Sequence, residues 1–178
     1  MAFMNEQPLT TDRLLLRRWK TEDLDPYAEL CADPEVMRWI GSGVTRTRDE
    51  CAEAIEKFEI FWEQNGFGLF AVELRGSHQF IGFTGLAIPA FLPEVMPSIE
   101  IGWRLARHAW GKGYATEAAK NSLDFGFKKC GIQRFVSIHQ VGNDASGRIM
   151  EKMGMSLYLD TIDPSCDRLV RVYEIHSE

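Results

Sequence analysis

The segment Leu105 to Glu117, Leu-Ala-Arg-His-Ala-Trp-Gly-Lys-Gly-Tyr-Ala-Thr-Glu, holds the residues of this sequence best equipped for chemistry. An alternating strand pattern ends there, two glycines one residue apart make a tight turn, and a helical pattern begins. Gly111 and Gly113 allow positive φ and a close approach of backbone to ligand with no Cβ in the way. The first N–H groups of a helix have no partner within it, and with the helix dipole they suit a phosphate or pyrophosphate. Arg107, His108 and Lys112 add local positive charge in a chain of formal net charge -6. The same glycines would serve equally in a plain tight connection. Two specific nucleotide motifs fit poorly. A P-loop needs Ser or Thr after its Gly-Lys, where Gly113 stands. A dinucleotide fingerprint needs Gly or Ala at Thr116, and an acid after the next strand, where His139-Gln140-Val141 lies.

Elements on either side must position this turn. Ser98 to Leu105 alternates, with Ile99, Ile101, Trp103 and Leu105 on one face and Glu100, Gly102 and Arg104 on the other. After the turn, Ala119, Leu123 and Phe127 stack four apart, which predicts a helix over Thr116 to Lys129. Upstream, Arg13 to Trp19 reads as a first strand, and Thr21 as the N-cap of a first helix. Cys51, Ala54, Ile55, Phe58, Phe61 and Trp62 fall at helical spacing from Thr47 to Asn65, where Gly66 stops the helix. Phe67 to Leu74 and Phe80 to Ile88 form an antiparallel hairpin across Arg75-Gly-Ser-His78. Downstream come a strand over Arg134 to His139, a short helix over Asn143 to Met153, and strands over Met155 to Ile162 and Leu169 to Ile175. The order β-α-α-β-β-β-α-β-α-β-β predicts an α+β fold, a mixed and mostly antiparallel sheet with one β-α-β crossover and helices on its faces. No repeat or linker is visible, so one domain over residues 1–178 is expected.

The turn, read with Glu100 to Leu105 before it and Asn143-Asp-Ala-Ser146-Gly-Arg-Ile-Met-Glu-Lys-Met-Gly154 after it, resembles the GNAT superfamily of acetyl-CoA-dependent N-acetyltransferases. The RimJ/RimL-like branch, which acetylates ribosomal-protein N-termini and assorted small amines, is the nearest likeness. Leu9-Thr-Thr-Asp-Arg-Leu-Leu-Leu-Arg17 and Asp33-Pro-Glu-Val-Met-Arg-Trp-Ile40 also resemble it, so the likeness spans nearly the whole chain. It implies acetyl-CoA as acetyl donor, with the pyrophosphate against the backbone from His108 through Ala109, Trp110, Gly111, Lys112 and Gly113 to Tyr114, Ala115 and Thr116. His108 stands where the family more usually has Arg or Gln. The pantetheine arm would pair with Ile101, Trp103 and Leu105, and Gly102 would provide a bulge that splays this strand from its neighbour. Asn143 would touch the pantetheine region, and as an N-cap it would serve its helix as well.

Acyl transfer from a thioester to an amine needs a neutral amine, a donor for the developing oxyanion, and a proton for the departing thiolate. On this reading Glu100 accepts the amine proton, directly or through water, and an N–H near Ile101 to Trp103 supports the oxyanion. A solvated carboxylate or an ion pair with Arg104 is the purely structural use of Glu100. Many family members protonate the thiolate with a tyrosine seven residues after the motif asparagine. Here Met150 occupies that position, and Ser146 is the expected acid. Met150 also sustains a second reading, a non-catalytic acyl-CoA-binding regulatory module on the same fold. Trp39, in Trp39-Ile-Gly-Ser-Gly43, and the segment Phe83 to Glu94 are expected walls of an acceptor site. A peptide N-terminus and a small-molecule amine fit this sequence equally.

Bulk properties bound the remaining choices. The 178 residues are 45% apolar and 26% charged, ordinary globular values, and long enough to bury a core without staples. No apolar run approaches the ~18 residues of a membrane span, and Met1 to Glu6 lack the basic and apolar blocks of a signal peptide. Cys31, Cys51, Cys130 and Cys166 lack ligand spacing and read as reduced thiols, so a cytoplasmic protein is expected. His78, His108, His139 and His176 show no metal spacing either, and no metal is expected. The acidic balance argues against direct nucleic-acid binding. An exposed edge strand of such a sheet suits pairing into a homodimer.

Overall fold

The computed structural model describes residues 7–177; Met1 to Glu6, read above for leader character, lie outside them. Among the described residues eight strands form one sheet in the order β1-β2-β3-β4-β5-β6-β8-β7. They are β1 (Leu9–Thr10), β2 (Leu14–Arg17), β3 (Leu69–Leu74), β4 (Phe80–Ala87), β5 (Ile99–Leu105), β6 (Arg134–Gln140), β7 (Ser156–Asp163) and β8 (Arg168–His176). Neighbours are antiparallel except β5 and β6, which are parallel. A parallel pair cannot be closed by a hairpin, and the crossover runs through the helix Tyr114–Lys128. The α+β sheet expected from the chain order is the one observed.

Among the described residues five α-helices flank the sheet: α1 (Leu24–Ala32), α2 (Pro34–Met37), α3 (Arg48–Asn65), α4 (Tyr114–Lys128) and α5 (Asp144–Lys152). On one face α4 and α5 cover Phe70, Val72, Ile81, Leu86, Ile101 and Phe135. On the other, α1, α2 and the first part of α3 enclose Trp19, Tyr27, Cys31, Cys51, Phe80 and Phe83. The periodicity of α3 predicts its bounds well because its ends are chemically marked. The Thr47 hydroxyl accepts from the Glu50 N–H, the Glu50 carboxylate accepts from the Thr47 N–H, and Gly66 closes the helix with φ 72.

Thr21 is not a helix N-cap. It opens a single 3-10 turn, and α1 begins at Leu24. The reason is Asp23, whose carboxylate is bound by the Arg17 guanidinium at 2.7 and 2.8 Å and by the Lys20 N–H at 2.8 Å. Arg17 also donates to Glu73 at 2.7 Å, so a buried cation holds two buried carboxylates where β2, β3 and the chain before α1 meet. Two short elements, β1 and α2, carry too few residues for a periodic signal.

The feature that matters most for function lies between β5 and β6. They pair only at Ile99 with Phe135 and Glu100 with Val136. Beyond that the Ser137 hydroxyl donates to the Ile101 carbonyl at 2.8 Å, a side chain standing where a ladder bond would otherwise continue. Gly102 makes no bulge against β4: the register runs unbroken through Gly85 and Gly102, and the splay starts before it.

Candidate active site

The parted strands open two adjoining cavities of about 380 Å³ each. Trp39, Ile40, Trp103, Arg104, Asn143 and Ser146 line both and so form their common wall. Strand alternation explains what the wall offers. Odd residues of β5 turn their backbone groups toward β6, as the Ile101 carbonyl bonded to Ser137 shows, while even residues turn theirs toward β4. The Leu105 carbonyl accepts from the Trp110 indole N–H at 2.8 Å. The N–H and C=O of Trp103 therefore face the gap, one residue pair beyond the last contact with β6.

The first cavity is built on the turn. Gly111 (φ +71) and Gly113 (φ +80) place the chain so that α4 starts at Tyr114, two residues earlier than its side-chain periodicity predicts. Among the described residues no N–H from Gly111 to Thr116 donates to a protein acceptor, and the first intrahelical partner is Glu117 N–H on the Gly113 carbonyl at 3.1 Å. Arg148 and Lys152, one turn apart on α5, line the same cavity with no acidic partner among the described residues. A row of free donors with two cations opposite fits a pyrophosphate. The turn is clamped from outside. Arg13 donates to the Lys112 carbonyl at 2.9 Å, pairs with Glu117 at 2.6 Å and lies over the Tyr114 ring.

Of the residues expected to hold the cofactor, Trp103, Leu105, Ala109, Trp110, Gly111, Gly113, Tyr114, Ala115, Thr116, Asn143 and Ser146 line this cavity. Ile101, His108 and Lys112 do not. The Ile101 side chain is fully buried in the core and its carbonyl is occupied. His108 is exposed, with its ring 3.4 Å from the Gln79 amide, and Lys112 contributes its carbonyl to the Arg13 clamp. Asn143 caps α5, its side chain accepting from the Ser146 N–H at 3.4 Å. The Ser146 hydroxyl makes no hydrogen bond with a described residue and stands on the common wall. Met150 is buried in the core beneath.

The second cavity contains Glu100. Its carboxyl forms no hydrogen bond or ion pair with a described residue, Arg104 included, and desolvation by the surrounding protein pushes its pKa up to about 8. Trp39 lines this cavity too, as do Phe83, Ala87 and Phe91 of the expected wall. Arg46, Tyr27, Ser137 and His139 were not legible as site residues; the fold brings them in from the loop before α3, from α1 and from β6. Tyr27 was unreadable because it sits at an ordinary core position of α1. His139 donates from Nδ1 to the Gln140 carbonyl at 2.9 Å, leaving Nε2 buried and unpartnered, and burial lowers its pKa. Arg148 and Lys152 carried a usable signal, two cations at i and i+4 beginning two residues after Ser146.

This arrangement pairs a helix start with free N–H groups and an unpaired carboxyl across a shared wall. Comparison with known proteins agrees. The acetyltransferase (GNAT) domain model matches residues 13–156. The protein YkkB of Bacillus subtilis is 33% identical over 172 residues, covering 93% of this chain and 94% of its own. The N-acetyltransferase YnaD of the same organism is 32% identical over 147 residues, covering 83% and 81%. A GNAT-family acetyltransferase from Bacillus anthracis has the same architecture, with a TM-score of 0.80 at 26% identity over 96% of this chain and 98% of that one. Spermidine N-acetyltransferase from Vibrio cholerae, solved with CoA and spermine, shares the fold at 20% identity, with a TM-score of 0.76 over 93% and 96% of the two chains. Matched over residues 13–156 and built around a crossover that leaves helix N–H groups free, this chain belongs to the GNAT acetyltransferases and is an acetyl-CoA-dependent N-acetyltransferase.

Proposed function

We propose that the chain moves an acetyl group directly to a primary amine seated in the second cavity, with Glu100 as base and Ser146 as acid. The observation that carries this reading is the shared wall. Ser146 and the free Trp103 N–H stand where the two cavities meet, and Glu100 lies two residues along the face from Gly102 in the acceptor cavity. Acetyl-CoA supplies the acetyl group as a thioester, held by the N–H groups of residues 111–116 with Arg148 and Lys152. Glu100 takes a proton from the amine nitrogen as the C–N bond forms and the C–S bond breaks. Its raised pKa, about 8, lies close to the ~7.7–8.0 of an α-amine, so the proton moves between groups of nearly equal affinity. The Trp103 N–H is placed to donate to the carbonyl oxygen as it gains charge. The Ser146 hydroxyl gives its proton to the departing sulfur and regains one from solvent.

Calorimetric titration with acetyl-CoA, with NAD as the control ligand, tests the first half of this reading. We expect micromolar affinity for acetyl-CoA alone, weakened in Gly111→Val. A Cβ at Gly111 meets nothing within 4 Å, so the loss would come from the φ of +71 that valine resists. Glu100→Gln should lower kcat/KM by roughly 10²-fold or more while leaving the acetyl-CoA Kd within about threefold. No acetyl-CoA binding, or full turnover in Glu100→Gln, overturns the reading.

A further inference from the structure

The acceptor cavity is lined by two arginines as well as by Glu100, and the proposed reaction uses only Glu100. Arg46 and Arg104 line it, and among the described residues neither guanidinium is within ion-pair distance of a carboxylate. Arg104 lies over the Phe83 ring at 5.1 Å and reaches the Cys31 sulfur at 3.7 Å, while its Nε is buried with no hydrogen-bond partner. The Tyr27 hydroxyl, also buried, lies beside the Cys31 sulfur and within the electrostatic reach of both arginines. The acids nearby are committed or distant along the strand. Glu50, which feels the Arg46 charge, spends its carboxylate on the Thr47 N–H and hydroxyl at 2.7 and 2.9 Å. Asp163 accepts from the Ser165 N–H and hydroxyl and from Cys166. Glu100 sits four residues from Arg104 on the same face of β5, about 13 Å away between Cα atoms in extended chain.

Two cations held in one half-buried groove repel each other and lose hydration, and buried polar groups left unpaired are costly. Such a set is satisfied by a bound anion, and the planar guanidinium fork matches a carboxylate or phosphate. Between this set and Glu100 the strand face is bare. A Cβ at Gly102 would meet nothing within 4 Å, so an acceptor has room to lie across the strand.

From this we infer that the acceptor is an amine that also carries an anionic group, a carboxylate or phosphate, bound by Arg46 and Arg104 while its amine faces Glu100. The inference rests on the proposed placement of the amine. It runs against the net charge of the chain, which would favour a polycation. Locally the two arginines repel a polyamine and select a zwitterion.

Binding and turnover are measured separately so that the two readings fail in distinguishable ways. For binding, the CoA-loaded protein is titrated with N-acetylated ω-amino acids of two to six carbons, with the N-acetylated amino alcohols of equal length, and with an N-acetylated aminoalkyl phosphate. We expect at least one anionic product to bind tenfold or more tighter than its neutral twin, and that ratio to fall toward one in Arg104→Gln and in Arg46→Gln. Equal binding of anionic and neutral products by the parent overturns the inference, as does a ratio unmoved in both variants. A preference for phosphate over carboxylate identifies which anion the pair was built for and supports the inference. For turnover, CoA release is followed with the matched amino acids, amino alcohols and spermidine. Spermidine as the best acceptor overturns the inference whatever the binding series shows. A carboxylate preference that survives in a fully active Glu100→Gln upholds the anion site and removes the base assignment instead.

Discussion

Glu100 and Gly102 differ by two positions, and the proposed acceptor site depends on both. One is a carboxyl that burial keeps largely protonated below its pKa of about 8; the other is a gap. A base acts only when ionised, so kcat/KM should rise with pH through about 8 and level off above it. Glu100→Gln should lose that rise, leaving only the titration of the amine, which a pH–rate series with acceptors of different amine pKa separates. Gly102→Ala adds one methyl to the bare strand face. It meets no protein atom, so the melting temperature should change by no more than a few degrees, while the acceptor KM should increase about tenfold from crowding in the groove. A large drop in melting temperature would show instead that the gap serves the fold.

At the scale of elements, the start of α4 is set by contacts outside the helix. Arg13, just before β2, holds the Lys112 carbonyl and the Glu117 carboxylate, so the N-terminal strand region braces the turn that presents the N–H groups. Glu117 is burdened by some burial, but its bonds from Thr11 and Arg13 outweigh that and hold its pKa below the usual carboxylate range. Arg13→Ala should therefore weaken acetyl-CoA binding about threefold to tenfold by calorimetry, although Arg13 does not line the cavity. The pair is partly exposed, so its direct contribution to stability should be below about 1 kcal/mol. The same scale shows why some helix starts were legible and others were not. Thr47 and Glu50 satisfy each other within one turn, so four residues of sequence carry the whole signal. Thr21-Glu22-Asp23 looks similar, but its acid is claimed by Arg17 at the end of β2, in a buried cluster shared with Glu73 of β3 that the turn's own residues do not reveal.

For the whole molecule, the Arg17 cluster joins the strands to the helical layer on the face that holds Cys31 and Phe83. The Arg17 pKa is raised, chiefly by its hydrogen bonds to Asp23. Burial alone would raise the Glu73 pKa, yet bonds from His78 and Arg17 bring it below its ordinary value. Arg17→Ala leaves two buried carboxylates uncompensated and should cost about 3–5 kcal/mol, or roughly 10 °C in melting temperature for a chain of this size. The Glu73 contribution is present above about pH 4.5 and is lost as pH falls through its lower folded-state value. Glu100 works in the opposite direction. Between about pH 4.5 and 8 the native state keeps a proton that the unfolded chain has shed, so this carboxyl lowers stability progressively as pH rises and has its full cost above 8. The melting temperature of Glu100→Gln relative to the parent should accordingly climb across that window; a constant difference would mean that Glu100 is not desolvated in the native protein.

Local chemistry in the sequence was enough to determine the sheet-and-helix order, the glycine turn before α4, the Asn143 cap and the alternation that sends Glu100 and Arg104 to one side of β5. Each depends on residues a few positions apart, whose periods and turn preferences are written in the chain itself. Only the tertiary structure decided that β5 and β6 part after one residue pair beyond Ile99, that Ile101 is core while Trp103 faces the gap, and that Arg46 and Tyr27 share a groove with Arg104. Those facts depend on packing between segments dozens of residues apart, and on desolvation, which is a property of the assembled protein and of no single position along it.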